Sequence, residues 1–248
     1  KNITLTSLDL SGLSGINRNH IGFKGCKTLK EMLSVNRVLS QLNLASNGMG
    51  ADGMKLLCDG LKGNHVLAEL NIGSNNIGVL GCEHLGKVLH ETRLIKLEME
   101  RNQISDRGAS ILARAIMDND NNALEYLDIT ENRISLDGVK DLCDMLKTNT
   151  VLNLIKWDSN EIGNEGAELV AAMLEINRCL ETLLCSRCTI PDLGARAIGK
   201  SLRSNEHITR LDLSHNYLED GAAKAISGSL KHNKTLLSLD LSHNRIGD

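Results

Sequence analysis

A repeat of about 28 residues runs through this chain of 248 residues. Its signature is Leu-x-x-Leu-x-Leu-x-x-Asn, in which another apolar residue can replace a leucine. Leu39, Leu42, Leu44 and Asn47 form the first complete copy. The asparagine position then recurs at intervals of 27 to 30 residues, at Asn75, Asn102, Asn132, Asn160, Cys188, Asn216 and Asn244. A fixed period of this length predicts a solenoid of stacked units.

Each unit contains one strand pattern and one helix pattern. Leu-x-Leu has the period of a strand, whereas the spacing of Gly166, Ala167, Val170 and Leu174 places apolar residues on one helical face. A single unit cannot bury both apolar faces, so neighbouring units must stack to close the core. We therefore predict an α/β solenoid of about nine repeats, with parallel strands on a concave face and helices on a convex face.

The first unit departs from the regular spacing. It begins with Leu5, Leu8 and Leu10, but the pattern resumes only at Asn19, nine residues after Leu10 instead of three. The difference predicts an insertion of six residues that starts at Ser11, and insertions in repeats fall in loops.

Composition narrows the possible partners and compartment. A net charge of -3, with 28 basic and 31 acidic residues, argues against binding to nucleic acid or to an anionic membrane. The apolar runs are short, and the N-terminus lacks the layout of a signal peptide. Seven scattered cysteines are an odd number and do not suggest a disulfide framework, which favours a cytoplasmic protein.

The sequence of the repeat resembles that of a known family. The run from Ser238 to Asp248, Ser-Leu-Asp-Leu-Ser-His-Asn-Arg-Ile-Gly-Asp, is similar to the ribonuclease-inhibitor-like leucine-rich repeats. That subclass includes ribonuclease inhibitor, NOD-like receptor sensor regions, Ran GTPase-activating protein and the tropomodulin cap. The resemblance implies the horseshoe fold and a protein-binding scaffold. The sensor arrays of NOD-like receptors are the most similar in repeat length and turn sequence. We expect one domain over residues 1–248, excerpted from a longer array.

Strand alternation predicts which side chains face the concave surface, namely the third, fifth, seventh and eighth positions of the signature. The third position supplies Glu69, Tyr126, Leu154 and Arg210, the fifth supplies Glu98, Asp128, Lys156, Leu184 and Asp212, and the seventh supplies Glu100. We predict that these residues form a surface that binds a protein.

Two features mark the middle of this surface. Tyr126, Leu154 and Leu184 form an apolar diagonal of the kind on which interfaces centre. Acidic side chains concentrate toward the N-terminal half, at Glu69, Glu98, Glu100, Asp128 and Glu131. Concentrated negative charge favours a basic partner.

Two other residue patterns have a spacing that could suggest a redox or metal site, but their repeat positions explain them. Cys185 and Cys188 form a C-x-x-C pair, but they occupy an apolar position and the asparagine position of the repeat, which indicates packing. His215 and His243 occupy equivalent positions and should stack, which repeat duplication alone explains. We predict no metal, no cofactor and no catalytic residues.

Two alternative functions stay open at this point. The resemblance to Ran GTPase-activating protein implies an arginine supplied from a strand-end loop, for which Arg101, Arg133 and Arg187 are the candidates. The resemblance to tropomodulin implies actin capping. Both depend on a shared fold, which is analogy.

Overall fold

A computed structural model describes residues 3–12, 19–118 and 123–247. Nine short strands in these residues form one parallel sheet in chain order. The strands are β1 (Ser7–Asp9), β2 (Gln41–Asn43), β3 (Glu69–Asn71), β4 (Lys96–Glu98), β5 (Tyr126–Asp128), β6 (Leu154–Lys156), β7 (Thr182–Leu184), β8 (Arg210–Asp212) and β9 (Ser238–Asp240). This arrangement confirms the predicted parallel sheet.

A helix follows each of the first eight strands within the described ranges. The helices are α1 (Gly22–Val35), α2 (Gly50–Leu61), α3 (Gly78–Leu89), α4 (Ser105–Met117), α5 (Leu136–Thr148), α6 (Gly163–Ile176), α7 (Asp192–Ser201) and α8 (Asp220–Leu230). Each helix packs on the helix of the next unit, and each strand pairs with the next strand. The fold is therefore the predicted α/β leucine-rich repeat solenoid.

The strands pair in a register that aligns equivalent repeat positions. Leu97 lies opposite Leu127, and Leu127 lies opposite Ile155. These central residues are buried against the helices, whereas most of the flanking residues of each strand are partly exposed on the other face. We call that open face the concave face. Alternation along each strand thus places the residues as predicted from the sequence.

Buried asparagine amides connect the units where the strands end. The Nδ2 group of Asn102 donates to the carbonyl oxygens of Met99, 3.0 Å away in its own unit, and of Ile72, 2.9 Å away in the preceding unit. Its Oδ1 accepts the N–H of Asn75 at 3.0 Å. Equivalent bonds recur along the array, and we call this column the strand-end ladder. It satisfies backbone groups that the short strands leave unpaired.

A second asparagine column, which the sequence reading missed, lies where the helices return to the strands. Asn177 donates to Leu146 O at 2.6 Å in the preceding unit. Its Oδ1 accepts the N–H groups of Cys179 and Leu180 at 2.8 and 2.7 Å. The members of this helix-return ladder are Asn36, Asn64, Asn149, Asn177, Asn205 and Asn233. Thr92 takes the equivalent position between α3 and β4 and bonds Leu89 O.

The first unit agrees with the predicted change of spacing. Asn19 donates to the carbonyl oxygens of Leu10 and Ser11, as Asn47 does to those of Leu44 and Ala45. Asn19 therefore occupies the strand-end ladder position of this unit. The inserted residues from Leu13 onward lie outside the described residues.

Within the described part of the chain, no helix combines the length and the apolar character needed to cross a bilayer.

Candidate protein-binding surface

The middle of the concave face is organised around Tyr126 on β5. The register sets Tyr126 between Lys96 of β4 and Leu154 of β6. The Nζ atom of Lys96 lies 4.9 Å from the centre of the Tyr126 ring, and that of Lys156 lies 5.3 Å from it. Both distances fit a cation–π contact, so two ammonium groups hold the ring in place.

Each lysine also pairs with a carboxylate on the same face. Lys96 lies 3.1 Å from Glu98 Oε2, and Lys156 lies 3.2 Å from Asp128 Oδ2. Burial lowers the pKa of Lys156, but its hydrogen bond with the Tyr126 hydroxyl and the charge of Asp128 outweigh this effect and raise that pKa overall. Burial raises the pKa of Tyr126 itself. Lys156 is therefore a cation, and Tyr126 is a neutral phenol at neutral pH.

The apolar diagonal continues from Tyr126 toward β7. Leu154 lies directly beside Tyr126, and Leu184 lies opposite Lys156, one strand further along. All three apolar residues are partly exposed. The structure therefore brings them together on one face, as the sequence predicted. We call Lys96, Tyr126, Leu154, Lys156 and Leu184 the central cluster.

The acidic residues of the fifth position have a structural role that the sequence reading did not recognise. The Asp128 carboxylate accepts the N–H of Thr130 at 3.0 Å, and that of Asp212 accepts the N–H of Ser214 at 2.8 Å. The same bond to the residue two places later is made by Asp9, Asn43, Asn71 and Asp240. Asp and Asn favour such turns because their side chains can replace a backbone acceptor. Turn formation thus explains why most residues at the fifth position are Asp or Asn.

The remaining predicted residues differ in how much they offer to a partner. Asp128 is 6% exposed and is held between Thr130 and Lys156, so it supports the central cluster from below. Glu69 is partly exposed and accepts a bond from Gln41 Nε2 at 2.8 Å. Arg210 is exposed on β8, two residues before Asp212.

Two half-buried carboxyl groups border the central cluster at the seventh position. Burial raises the pKa of Glu100, and the charges of Asp128 and Glu98 raise it further. Burial likewise raises the pKa of Asp158, although its bond from the Ser186 N–H opposes the rise. Asp158 was absent from the predicted site. A comparison of the seventh positions of successive units could have found it.

The cysteine and histidine pairs adopt the arrangement that their repeat positions predicted. Cys185 and Cys188 are buried free thiols, and Cys188 Sγ lies 3.3 Å from Trp157 O, in place of the amide of the strand-end ladder. The rings of His215 and His243 stack with their centroids 4.1 Å apart. No group of three or more metal-ligating side chains comes together in the described residues.

The arginines considered for a catalytic loop lie at the edge of the sheet. Arg101 Nε donates to Glu131 Oε2 at 2.7 Å, and the two residues occupy the same position in adjacent units. Their backbones adopt positive φ angles of 55° and 54°. Equivalent residues Arg187, His215 and His243 share this conformation, so the edge presents a column of exposed side chains.

The stacked strand–turn–helix units, the two ladders and the open sheet face define a solenoid of the scaffold class, with a concave surface suited to recognition. A sequence model of the leucine-rich repeat matches residues 35–58, 63–86, 120–143, 204–227 and 232–248. The chain thus contains leucine-rich repeats, and its fold is the leucine-rich repeat solenoid. Proteins built from such repeats are generally scaffolds for binding other proteins.

Two solved structures that align with this chain share little sequence with it. Leiomodin-1 actin-binding site 2 aligns with 52% of this chain and 76% of its own at 23% identity, with a TM-score of 0.47. TLR13, in a complex titled TLR13-ssRNA13, aligns with 93% of this chain at 19% identity and a TM-score of 0.52. This chain spans 32% of the TLR13 chain. The TLR13 alignment shows the fold alone.

A search among curated proteins found no sequence that matches this chain.

Proposed function

We propose that this chain is a recognition domain that binds a protein ligand on its concave face, as a sensor array of the NOD-like receptor type. The central cluster supports the proposal most strongly. Tyr126 is an aromatic residue in the middle of the sheet, it is fixed by two lysines, and Leu154 adjoins it. Interfaces concentrate their binding energy at such central aromatic residues.

A fixed anchor favours affinity because little conformational entropy is lost when the partner arrives. The two cation–π contacts restrict the Tyr126 ring before binding, and Leu154 and Leu184 extend the apolar area beside it. We propose that an apolar side chain of the ligand packs on this area.

The charge around the central cluster favours a ligand with a basic segment. The ammonium groups of Lys96 and Lys156 are already paired with Glu98 and Asp128. Further acidic groups lie nearby. They are Glu69 on β3 and, at the seventh positions of the units that contain β4 and β6, Glu100 and Asp158. Arg or Lys side chains of a ligand would complement this surface and set its register.

A paired truncation tests the proposal. The Tyr126→Ala/Leu184→Ala double variant removes the anchor. The control, Phe23→Ala/Leu193→Ala, likewise truncates one aromatic residue and one leucine, at exposed positions of α1 and α7. Proteins captured from extract by the parent are purified, and their affinity for all three chains is measured by calorimetry. We expect the anchor variant to lose at least about tenfold in affinity and the control to match the parent.

Equal binding by the parent and the anchor variant, with unchanged circular dichroism, would contradict the proposal. The alternative functions have their own assays on the same preparation. Stimulation of GTP hydrolysis by a Ran-type GTPase would support the GTPase-activating reading. Inhibition of pyrene-actin elongation would support actin capping.

A further inference from the structure

A cavity of about 440 Å³ lies at the edge of the sheet, beyond the C-terminal ends of β7, β8 and β9. It is separate from the central cluster. Its lining includes Arg187, Thr189, His215, Tyr217, His243 and Arg245. The described residues that line it include two guanidinium groups and two imidazoles, and none of them is acidic.

The repeat fixes the positions of these side chains. His215 and His243 precede successive asparagines of the strand-end ladder, and both adopt left-handed backbone angles, with φ of 55° and 56°. Their rings are 9° from parallel at a centroid distance of 4.1 Å. Arg245 lies over the Tyr217 ring, with its Cζ atom 4.7 Å from the ring centre. The Tyr217 ring thus holds this guanidinium group at the cavity wall.

An equivalent cavity in the middle repeats shows what is different here. It is lined by Arg101 and Arg133, at the repeat positions of Arg187 and Arg245, but it also contains Glu131 and Glu161. Arg101 is paired with Glu131 there. In the described residues no carboxylate lies within ion-pair distance of Arg187 or Arg245, so neither guanidinium group at the C-terminal strands is paired as Arg101 is.

We infer that this cavity is a second binding site, and that it takes an acidic segment of a protein, whose carboxylates pair with Arg187 and Arg245 beside the stacked histidines. Guanidinium groups form two parallel hydrogen bonds with a carboxylate, which gives such a pair geometric specificity. Thr189 adds a hydroxyl group to the same wall. The site is independent of the proposed concave interface because it shares no residue with the central cluster.

A short acidic peptide fits the surrounding charge better than a polynucleotide does. The carboxylates of Asp212 and Asp240 act on His215 from the concave face, so the positive charge does not continue into that face. A phosphate backbone requires a continuous basic track. The chain as a whole carries a net charge of -3.

The histidines should make binding depend on pH. Desolvation, His243 and Arg187 lower the pKa of His215, whereas Asp212 and Asp240 raise it. The Arg245 guanidinium and the Tyr217 phenol are the other titratable groups of the cavity. A bound carboxylate favours the imidazolium form, so ligand binding is coupled to proton uptake. Affinity should therefore increase as the pH falls toward about 6, where glutamate side chains remain ionised.

Fluorescence anisotropy with a labelled oligo-glutamate peptide tests this site in the full chain. The site variant is Arg187→Gln/Arg245→Gln, and the matched control is Arg101→Gln/Arg133→Gln at the same repeat positions. We expect the parent and the control to bind with similar affinity, and the site variant to bind at least about tenfold more weakly. We also expect tighter binding by the parent at about pH 6 than at about pH 7.5, and a smaller pH effect in His215→Gln/His243→Gln.

Several results would overturn the inference. These are no binding of oligo-glutamate by the parent, equal losses in the site and control variants, and tighter binding of single-stranded oligo-dT than of oligo-glutamate. A parent affinity that is the same at both pH values would exclude the histidines from the site. Thermal melts of each variant would show whether a loss reflects unfolding.

Discussion

Among single residues, the buried asparagines of the strand-end ladder contribute to this fold through their side-chain amides. The amide of Asn102 bonds backbone groups in its own unit and in the preceding one, and it is fully buried. Cys188, in the same column, has no side-chain oxygen that could accept the equivalent bond, although its own N–H still donates to Asn216 Oδ1 at 2.9 Å. The ladder therefore tolerates one substitution, but each amide satisfies several backbone groups that water cannot reach.

Replacement of Asn102 by alanine should destabilise the fold by about 2 to 4 kcal/mol, because buried donors and acceptors lose their partners. Urea unfolding, followed by circular dichroism, measures the change. Asn153→Ala is the matched control, since Asn153 is partly exposed and its side chain makes no hydrogen bond with the residues that the structure describes. We expect the control to lie within about 0.5 kcal/mol of the parent. A similar loss in both variants would argue against the ladder.

Glu100 gives the concave face a pH-dependent contribution to stability. Its carboxyl pKa is raised by burial above the ordinary value of 4.5, so the folded state binds the proton more tightly than the unfolded chain does. The parent therefore loses stability as the pH rises through the window between the unfolded and folded pKa values. Gln cannot ionise and avoids this loss.

The Glu100→Gln variant should gain stability relative to the parent between about pH 4 and about pH 7. Urea midpoints measured at both pH values test this expectation. Glu206→Gln makes the same substitution at an exposed position and serves as the control. A Glu100→Gln difference that decreases as the pH rises would contradict the assigned direction of the pKa shift.

At the scale of the elements, close helix packing fixes the distance between units. Gly60 on α2 faces α1, where an added Cβ atom would lie 2.7 Å from Lys30 Cα and 2.8 Å from Lys30 O. Both atoms belong to the backbone and cannot rotate away. At Gly228 on α8, no atom outside the local helix backbone lies within 4 Å of an added Cβ atom.

The two glycines should therefore respond in opposite directions to alanine. Gly60→Ala should cost about 1 to 3 kcal/mol because α1 must move. Gly228→Ala should stabilise the chain by about 0.5 to 1 kcal/mol, since alanine favours a helix interior. Chemical denaturation of both variants provides the comparison. If both were stabilised, α1 and α2 would not be in contact as described.

Periodicity explains which elements could be predicted from the sequence. The strand-end ladder followed from Asn47, Asn75 and their equivalents, because a strand signature precedes each of them. The helix-return ladder has the same spacing, but no apolar strand signature precedes Asn149 or Asn177. These residues were therefore not predicted from the sequence. The role of Asp128 depends on Lys156 in the next unit, a contact that is visible only once the strand register is known.

At the scale of the whole molecule, the core is continuous and nearly all of its thiols are enclosed. All seven cysteines lie in the described residues and are free, and six of them are buried. Burial raises the pKa of Cys26 to about 11 and those of Cys58, Cys82 and Cys143 to about 12. Cys179 is partly exposed.

Native thiol titration should therefore detect one reactive cysteine, and titration in denaturant should detect all seven, because only the exposed thiolate reacts readily. The measurement uses a chromogenic disulfide reagent at about pH 8. Cys179→Ser serves as the control and should abolish the native signal. Several fast-reacting thiols in the native chain would mean that the solenoid core opens.

Site-specific photo-crosslinking shows whether a protein ligand contacts the concave face or the helices. Benzoylphenylalanine replaces Tyr126 in one chain and the exposed aromatic residue Phe23 of α1 in the other. Both chains are irradiated with the purified protein ligand captured by the parent. We expect a crosslinked product from position 126 and little from position 23. Efficient crosslinking from position 23, with none from position 126, would place the interface on the helices and contradict the proposed function.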